Sequence, residues 1–570
     1  MKPTGDIVEQ LSRRSFDNAI EGALVGERAN ETLLKDLIDA IKAAKEDKRI
    51  GAIFLDVTRM GGAGMTKLED LRAALAEFRK SGKKVVAYGE ICLQGPYALA
   101  TAADEVFLHP EGGVLLYGFG RWRTYYKDGL DRLGVDVHVF RVGEYKSYVE
   151  PFTRNGPSPE AREADLKWMS DLWSSWVADV AASRKLKPED INGYIETMRD
   201  RLETAKGNLA KIALEAKLVD TIGYRDEVRK RMIELVGEDK KKKTFKQVSV
   251  ADYLDAKGGD RFGKRGRGDA VAVVVAKGDI LDGTQPPGTI GGDSTAALIR
   301  KARQDEKVKA IVLRVDSPGG GVLASEVIRR ELALARTVDK KTVVVSMGSV
   351  AASGGYWIST ASDEIWASPN TITGSIGIFG IFPTVDRPMA KYLGLRVDGV
   401  GTTRLSGALR PDRPLSPEVG RMIQLNIDRG YEDFLSRVAE ARKMARDDVD
   451  RIARGRVWSG ADAWQRKLVD KLGGLPEAIA SAAKMAKLPE GKYRVWYVEK
   501  ERSFREKLIS DLLSGRAWLA HALGITLEEP EPPPSSSVIQ AVVDQLGEAR
   551  RLLAFNDPSS VYSYCACEVK

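Results

Sequence analysis

The chain has 570 residues, 43% of them hydrophobic and 30% charged, which fits a globular protein of roughly two to four domains and excludes a disordered or fibrous one. Its 89 basic and 81 acidic residues are mixed along the chain, and the net charge of +8 comes with no nucleic-acid-binding module, so nucleic acid is left out as a partner. Three histidines (His109, His138, His521) make neither a metal site nor a Ser-His-Asp triad, and three cysteines (Cys92, Cys565, Cys567) make neither a disulfide framework nor a zinc knuckle.

No run of about 18 apolar residues occurs, so nothing reads as a membrane-spanning helix. The start, Met1-Lys2-Pro3-Thr4-Gly5-Asp6, does not read as a secretory signal. The first informative stretch is a strand-like run over residues 50–57, followed by Gly61-Gly62 and a helical pattern over 66–80. The same order returns later. Residues 48–57 lie over 306–315 at an offset of 258 (Ala52 on Ala310), and Gly61-Gly62 falls on Gly319-Gly320. Residues 100–107 lie over 359–366 at an offset of 259, which sets Gly95 on Gly354 and Tyr97 on Tyr356. The chain is an internal duplication. Each copy alternates apolar strand-like runs with helical patterns, the rhythm of a mostly parallel sheet covered by helices.

Residues 160–235 read as helical. Trp168, Met169, Leu172 and Trp176 form a stripe that either covers its own domain or packs against another copy. Residues 237–268, with Lys240-Lys241-Lys242-Lys243 and Lys264-Arg265-Gly266-Arg267, read as a solvated charged linker rather than a lipid-binding patch. The second copy opens with the strand-like run 271–278. Its counterpart would fall near 12–20, where Leu11-Ser12-Arg13-Arg14-Ser15-Phe16 is not strand-like, so the first copy is expected to start truncated. The expected organisation is a first repeat over 1–236, a charged linker over 237–268, a second repeat over 269–489 and an extension over 490–570. Within that extension, 528–537 reads as an extended linker and 538–553 as a short amphipathic helix.

The chemistry concentrates between residues 340 and 380. A β-branched strand leads through Ser349-Val350-Ala351-Ala352 to Ser353, and Gly354-Gly355 starts a helix behind it. That placement exposes a hydroxyl beside helix amides that lack internal partners, and it suits a nucleophile with half an oxyanion hole. Alone, the same residues also suit small-residue packing. A second buried run, 310–315, ends in Asp316-Ser317-Pro318-Gly319-Gly320-Gly321, so the amides of Gly320 and Gly354 would form the two-donor cradle of acyl transfer. In the first copy Gln94 stands opposite Ser353, and that copy has no nucleophile. Aligning Ser158-Pro159-Glu160 on Ser416-Pro417-Glu418 sets Lys146 opposite Arg404. Lysine can lose its proton near neutrality, whereas arginine cannot.

The motifs Asp316-Ser317-Pro318-Gly319-Gly320, Ala352-Ser353-Gly354-Gly355-Tyr356-Trp357 and Thr373-Gly374-Ser375-Ile376-Gly377 resemble bacterial signal peptide peptidase A in its long two-repeat form, a serine/lysine peptidase family of the Clp-protease and crotonase superfamily. The resemblance implies two tandem crotonase/Clp-protease-like α/β domains with helical arms. It implies Lys146 as the base for Ser353, Ser375 as the hydroxyl that orients the amine, and no metal or cofactor. Its implied substrates are extended apolar peptides such as signal peptides left after secretion. It further implies a homo-oligomer, with a tetramer favoured, in a bacterial cell envelope at the periplasmic face of the inner membrane, although neither anchor nor signal is visible in this chain. Two other classes stay open at this point: a non-catalytic scaffold at a membrane surface, and a coenzyme-A enzyme on the same superfold.

Overall fold

The computed structural model describes residues 1–12, 31–258, 268–499, 557 and 561–567. In the first half, β1 (Ala52–Asp56), β2 (Lys84–Cys92) and β3 (Glu105–Val114) form a parallel layer, with Ala52 opposite Lys84 and Val86 opposite Glu105. Helices α1 (Met65–Arg79) and α2 (Gln94–Ala100) make the crossovers. A further strand, β4 (Asp136–Val142), leaves this layer altogether, and the long helix α3 (Pro159–Arg184) follows it.

The second half repeats the plan with β5 (Ala270–Lys277), β6 (Val308–Ser317), the short β7 (Gly319–Gly321), α4 (Val322–Thr337), β8 (Thr342–Ala352) and α5 (Gly354–Ser359). Strands β5, β6 and β8 are parallel neighbours, with Val271 opposite Ala310 and Ala310 opposite Thr342. Their near-continuous apolar sequences follow from burial on both faces, the usual state of parallel strands under helices. Next come β9 (Ile372–Gly374), parallel to β8, then β10 (Ile378–Thr384) and the long helix α6 (Pro417–Arg442). The two long helices are matched at both ends. Ser158 and Ser416 each cap a Pro-Glu start by accepting from a backbone amide, and each helix closes on a left-handed lysine, Lys185 or Lys443.

The halves are joined by a shared sheet. β4 of the first half pairs antiparallel with β10 of the second, from Ile378 opposite Val142 to Thr384 opposite Asp136. A buried polar cluster also seats α1 on the second half: Lys67 Nζ lies 2.6 Å from Asp316 and donates to Ser349 Oγ at 3.1 Å, and Thr66 reaches the same hydroxyl at 2.9 Å.

Several expectations change here. The stripe of α3 turns inward, with Trp168, Leu172 and Trp176 buried in the core of their own half. The stretch beginning at 237, expected as a solvated linker, is folded as far as Lys257. Glu238–Asp239 pairs with Thr244–Phe245, and the helix Val250–Lys257 lies on the helix Leu34–Glu46. The reason is two aromatic anchors among the charges: Phe245 packs edge-on to Phe54, and Tyr253 donates to Asp47. The basic run at 264–267 lies outside the described residues. So does most of the region near 12–20, and the place of a first strand beside β1 is taken by Met1, whose carbonyl accepts from the Asp56 amide at 2.9 Å. Beyond 489, β11 (Arg494–Tyr497) joins the edge of β5, and β12 (Tyr562–Tyr564) joins β7. Cys565 and Cys567 are bonded to each other, a loop that encloses Ala566 alone rather than a framework. The linker at 528–537 and the helix at 538–553 lie outside the described residues. Among the described residues no helix is long and apolar enough to cross a membrane, and no cluster of metal-ligating side chains occurs.

Candidate active site

Ser353 sits where β8 ends and α5 begins, with a left-handed φ of +57°. Such a conformation costs a non-glycine residue on the order of 1–3 kcal/mol and persists only where its surroundings enforce it. Here the Ser353 amide donates to the Gly374 carbonyl at 2.9 Å, and the Ser353 carbonyl accepts from Trp357 at the same distance. The result is a fully buried side chain at the junction of strand and helix.

Lys146 reaches that hydroxyl from the other half of the chain. Its Nζ lies 2.6 Å from Ser353 Oγ, 2.9 Å from the Ser375 carbonyl oxygen and 3.1 Å from Ser375 Oγ. The side chain is 1% exposed, and burial alone pushes its pKa well below the ordinary lysine range. Delivery depends on β4, which ends four residues before the lysine, and on two close backbone approaches. A Cβ on Gly143 would lie 2.4 Å from the Arg454 carbonyl, and one on Gly455 would lie 2.5 Å from the Lys146 nitrogen. Both glycines have positive φ, so both positions demand glycine. Ser375 is itself left-handed and is held by donation from its amide to the Arg456 carbonyl at 2.7 Å.

Gly320 and Gly354 face one small space. A Cβ placed on Gly354 would lie 3.0 Å from the Gly320 nitrogen, and one on Gly319 would lie 2.6 Å from the Gly354 nitrogen. All five residues singled out in the sequence are therefore neighbours. What the sequence reading missed is Ser563, whose Oγ lies 2.7 Å from Ser353 Oγ, and whose carbonyl oxygen would be 2.2 Å from a Cβ on Gly319. Alternation in Val561-Tyr562-Ser563-Tyr564 does signal a strand, but nothing in it names a partner. The Lys67–Asp316–Ser349 cluster was also missed, because it pairs residues of different halves. Burial opposes the Asp316 carboxylate, yet Lys67 and the Val350 amide outweigh that cost and hold its pKa below the usual value.

Peptidase family S49 matches this chain twice, over residues 77–239 and 335–489, once in each half. Fold and matched regions together define a serine peptidase built on a duplicated α/β unit. Along almost its whole length the chain is 43% identical to Protease 4 of Salmonella typhi, over 99% of this chain and 89% of that relative. It is 37% identical to Protease 4 of Haemophilus influenzae, covering 93% and 84% of the two chains, and 32% identical to the chloroplastic serine protease SPPA of Arabidopsis thaliana, covering 85% and 69%. The chain belongs to Peptidase family S49, in the long two-repeat form that its motifs resemble.

Proposed function

We propose that this serine peptidase is an endopeptidase working through a Ser/Lys dyad, with Ser353 as nucleophile, Lys146 as general base, the amides of Gly320 and Gly354 as oxyanion donors and Ser375 as the group that orients the amine. The observation that carries the reading is the 2.6 Å contact between a buried lysine amine and Ser353 Oγ. A neutral amine has two N–H donors and one lone pair. If the donors go to the Ser375 carbonyl and hydroxyl, the lone pair is left for the Ser353 proton. The base then takes that proton during attack and returns it to the leaving amine. The glycine amides receive the charge that develops on the carbonyl oxygen.

The substrates proposed are extended, apolar peptides, remnant signal peptides among them, cut within their hydrophobic segment. Supporting this, Tyr148, Val149 and Phe379 form an apolar cluster with Tyr562 and Tyr564, the two neighbours of the Ser563 that touches Ser353. The site draws one residue from the first half and four from the second, in keeping with a first repeat over 1–236 that supplies the lysine and a second over 269–489 that supplies the serine. Assembly as a homo-oligomer, tetramer favoured, contact with a membrane surface and residence in a bacterial envelope facing the periplasm belong to the same proposal. A coenzyme-A enzyme would use the glycine amides without needing Ser353 and Lys146 in contact, and a scaffold would need none of the five.

The test is hydrolysis of fluorogenic apolar peptides by the purified chain. Ser353→Ala is expected to lower kcat at least ~10⁴-fold with an unchanged circular dichroism spectrum. Undiminished turnover by that variant would discard the assignment.

A further inference from the structure

β8 does not run straight into Ser353. Val315 pairs with Met347 and Ser317 pairs with Ala351, so between those pairs β6 has only Asp316 where β8 has Gly348, Ser349 and Val350. Such a bulge bends its strand and re-aims whatever follows, and here Ser353 follows directly after Ala351-Ala352. On β6 the same place leads into the glycine cradle. Ser317 Oγ accepts from the Gly319 amide at 3.1 Å, one residue before Gly320.

The Asp316 carboxylate fills the bulge. Its Oδ1 accepts from the Val350 amide at 3.1 Å, and a Cβ on Gly348 would lie 3.1 Å from Asp316 Cβ. A bulge leaves backbone groups without their ladder partners, and the carboxylate stands in for one of them. The charge that balances it comes from the other half of the chain. Lys67 Nζ lies 2.6 Å from Asp316, with the two side chains 6% and 11% exposed, and it donates to Ser349 Oγ at 3.1 Å. Helix α1 comes this close only because it starts at a glycine, since a Cβ on Gly64 would lie 2.1 Å from Ser349 Oγ. The far end of the bulge is tied across the halves as well: Arg314 donates to the Met347 carbonyl at 3.0 Å and to Glu9 at 2.6 Å. In the first copy the offset of 258 sets Thr58 at the place of Asp316, so that copy has no carboxylate there.

We propose, resting on the peptidase reading above, that Asp316 and Lys67 are positioning residues for that site: the carboxylate fixes the bulge from which Ser353 and the Gly320 amide are both aimed, and the lysine keeps the carboxylate in place. The first half then contributes two lysines, Lys146 to react and Lys67 to hold. Without Lys67 the carboxylate keeps only Arg314, itself engaged by Glu9, as a cationic neighbour. A buried charge left short of its partner moves or takes up a proton, and either change loosens the Val350 amide.

Steady-state hydrolysis of a fluorogenic apolar peptide by the purified full chain, with rates taken per folded molecule from urea titrations, tests this. Lys67→Met is expected to lower kcat at least ~10-fold with KM changed less than about threefold, because Lys67 acts on the geometry of the site and not on peptide binding. Adding Asp316→Asn to Lys67→Met is expected to bring kcat back to within about threefold of wild type, since the Asn carbonyl can accept from Val350 and its nitrogen can donate to Ser349. Adding Asp316→Leu instead gives a pair equally free of charge and of similar size but with no acceptor, and kcat is expected to stay at least ~10-fold down. The two double variants decide the matter even where Lys67→Met alone does not fold. Equal kcat in those two, wild-type kcat in Lys67→Met, or failure of both double variants to fold would overturn the inference and assign the pair to holding the halves together. A wild-type chain inert towards apolar peptides would overturn the peptidase reading beneath it.

Discussion

Gln94 and Ser353 occupy the same place in two copies of one fold, and the difference between them reaches well beyond the side chain. In the first half the Gln94 side chain accepts from the Tyr117 amide at 2.9 Å, so the start of α2 is tied to the segment that follows β3. In the second half the serine is left free to meet an amine from elsewhere. Lys146 and Arg404 diverge in the same way. The lysine is buried beside Ser353, whereas Arg404 stands in solvent, its side chain 81% exposed and paired with Glu418. The strand that precedes each explains why. β4 is clamped to β10 and carries Lys146 inward, but its counterpart at 394–400 is not a strand, and Leu395 and Val400 are exposed. Duplication supplied two long cationic side chains at this place, and pairing across the halves decided which one was taken out of water.

The sharpest way to break this comparison is to remove each of the two side chains in turn. Lys146→Met keeps the volume and the burial but removes the amine, and it is expected to lower kcat about 10³- to 10⁴-fold, the range of a lost general base acting on a weak nucleophile. Arg404→Met is expected to change turnover less than about twofold, because an exposed ion pair contributes little. Steady-state kinetics on the same fluorogenic peptide compares the two. Equal losses would mean that the halves are not divided as described.

The cradle offers a second contrast. Gly62, the counterpart of Gly320, donates its amide to the Asp6 carboxylate at 2.6 Å and is therefore already satisfied. Gly320 instead faces the Ser563 carbonyl across β7, and a Cβ there would stand 1.9 Å from the Ile280 carbonyl oxygen. Gly320→Ala must move β7, so kcat is expected to fall about 10²- to 10³-fold, the effect of losing one oxyanion donor. Gly62→Ala is expected to stay within about threefold in the same assay. A loss at Gly62 as large as that at Gly320 would mean that β7 acts through stability rather than through its amide.

Much of this was legible in the sequence because duplication is a pattern in one dimension. The offset of 258 residues set Gly62 on Gly320 and Lys146 on Arg404 without any knowledge of the sheet. Small residues around Ser353 and the glycines after β6 also announced themselves, since close backbone approach restricts composition locally. What stayed hidden depends on contacts between distant segments. Nothing in Asp136-Val137-His138-Val139 says that it will cross into the other half, and nothing in Lys67 distinguishes it from the many solvated lysines until Asp316 is found 2.6 Å away. The folding of Phe245 and Tyr253 onto the first half was masked by the charges around them, which dominate the composition. Tail strand β12 was overlooked because an isolated strand of three residues gains its meaning only from the edge it joins.

The remaining contrast is electrostatic, and it can be read through pH. Lys146 is held below the ordinary lysine range by burial, with no carboxylate offsetting that cost, while Arg404 lies exposed beside Glu418. The proposed dyad requires the neutral amine, so log(kcat/KM) should climb with unit slope, about tenfold per pH unit, until the depressed pKa is passed and then level off well below the ~10.4 of free lysine. Folding stability should respond with the opposite bookkeeping of protons from a salt-bridged lysine. Between the folded and unfolded pKa values the unfolded chain binds the extra proton, so stability from this residue rises with pH across that window and is flat above ~10.4. Lys146→Met removes both dependences together. Urea titrations at several pH values, set beside the rate profile, check the pair: a wild-type stability slope that survives in Lys146→Met would assign the titration to another group, and a rate that climbs only near ~10.4 would mean that the amine is charged in the folded enzyme.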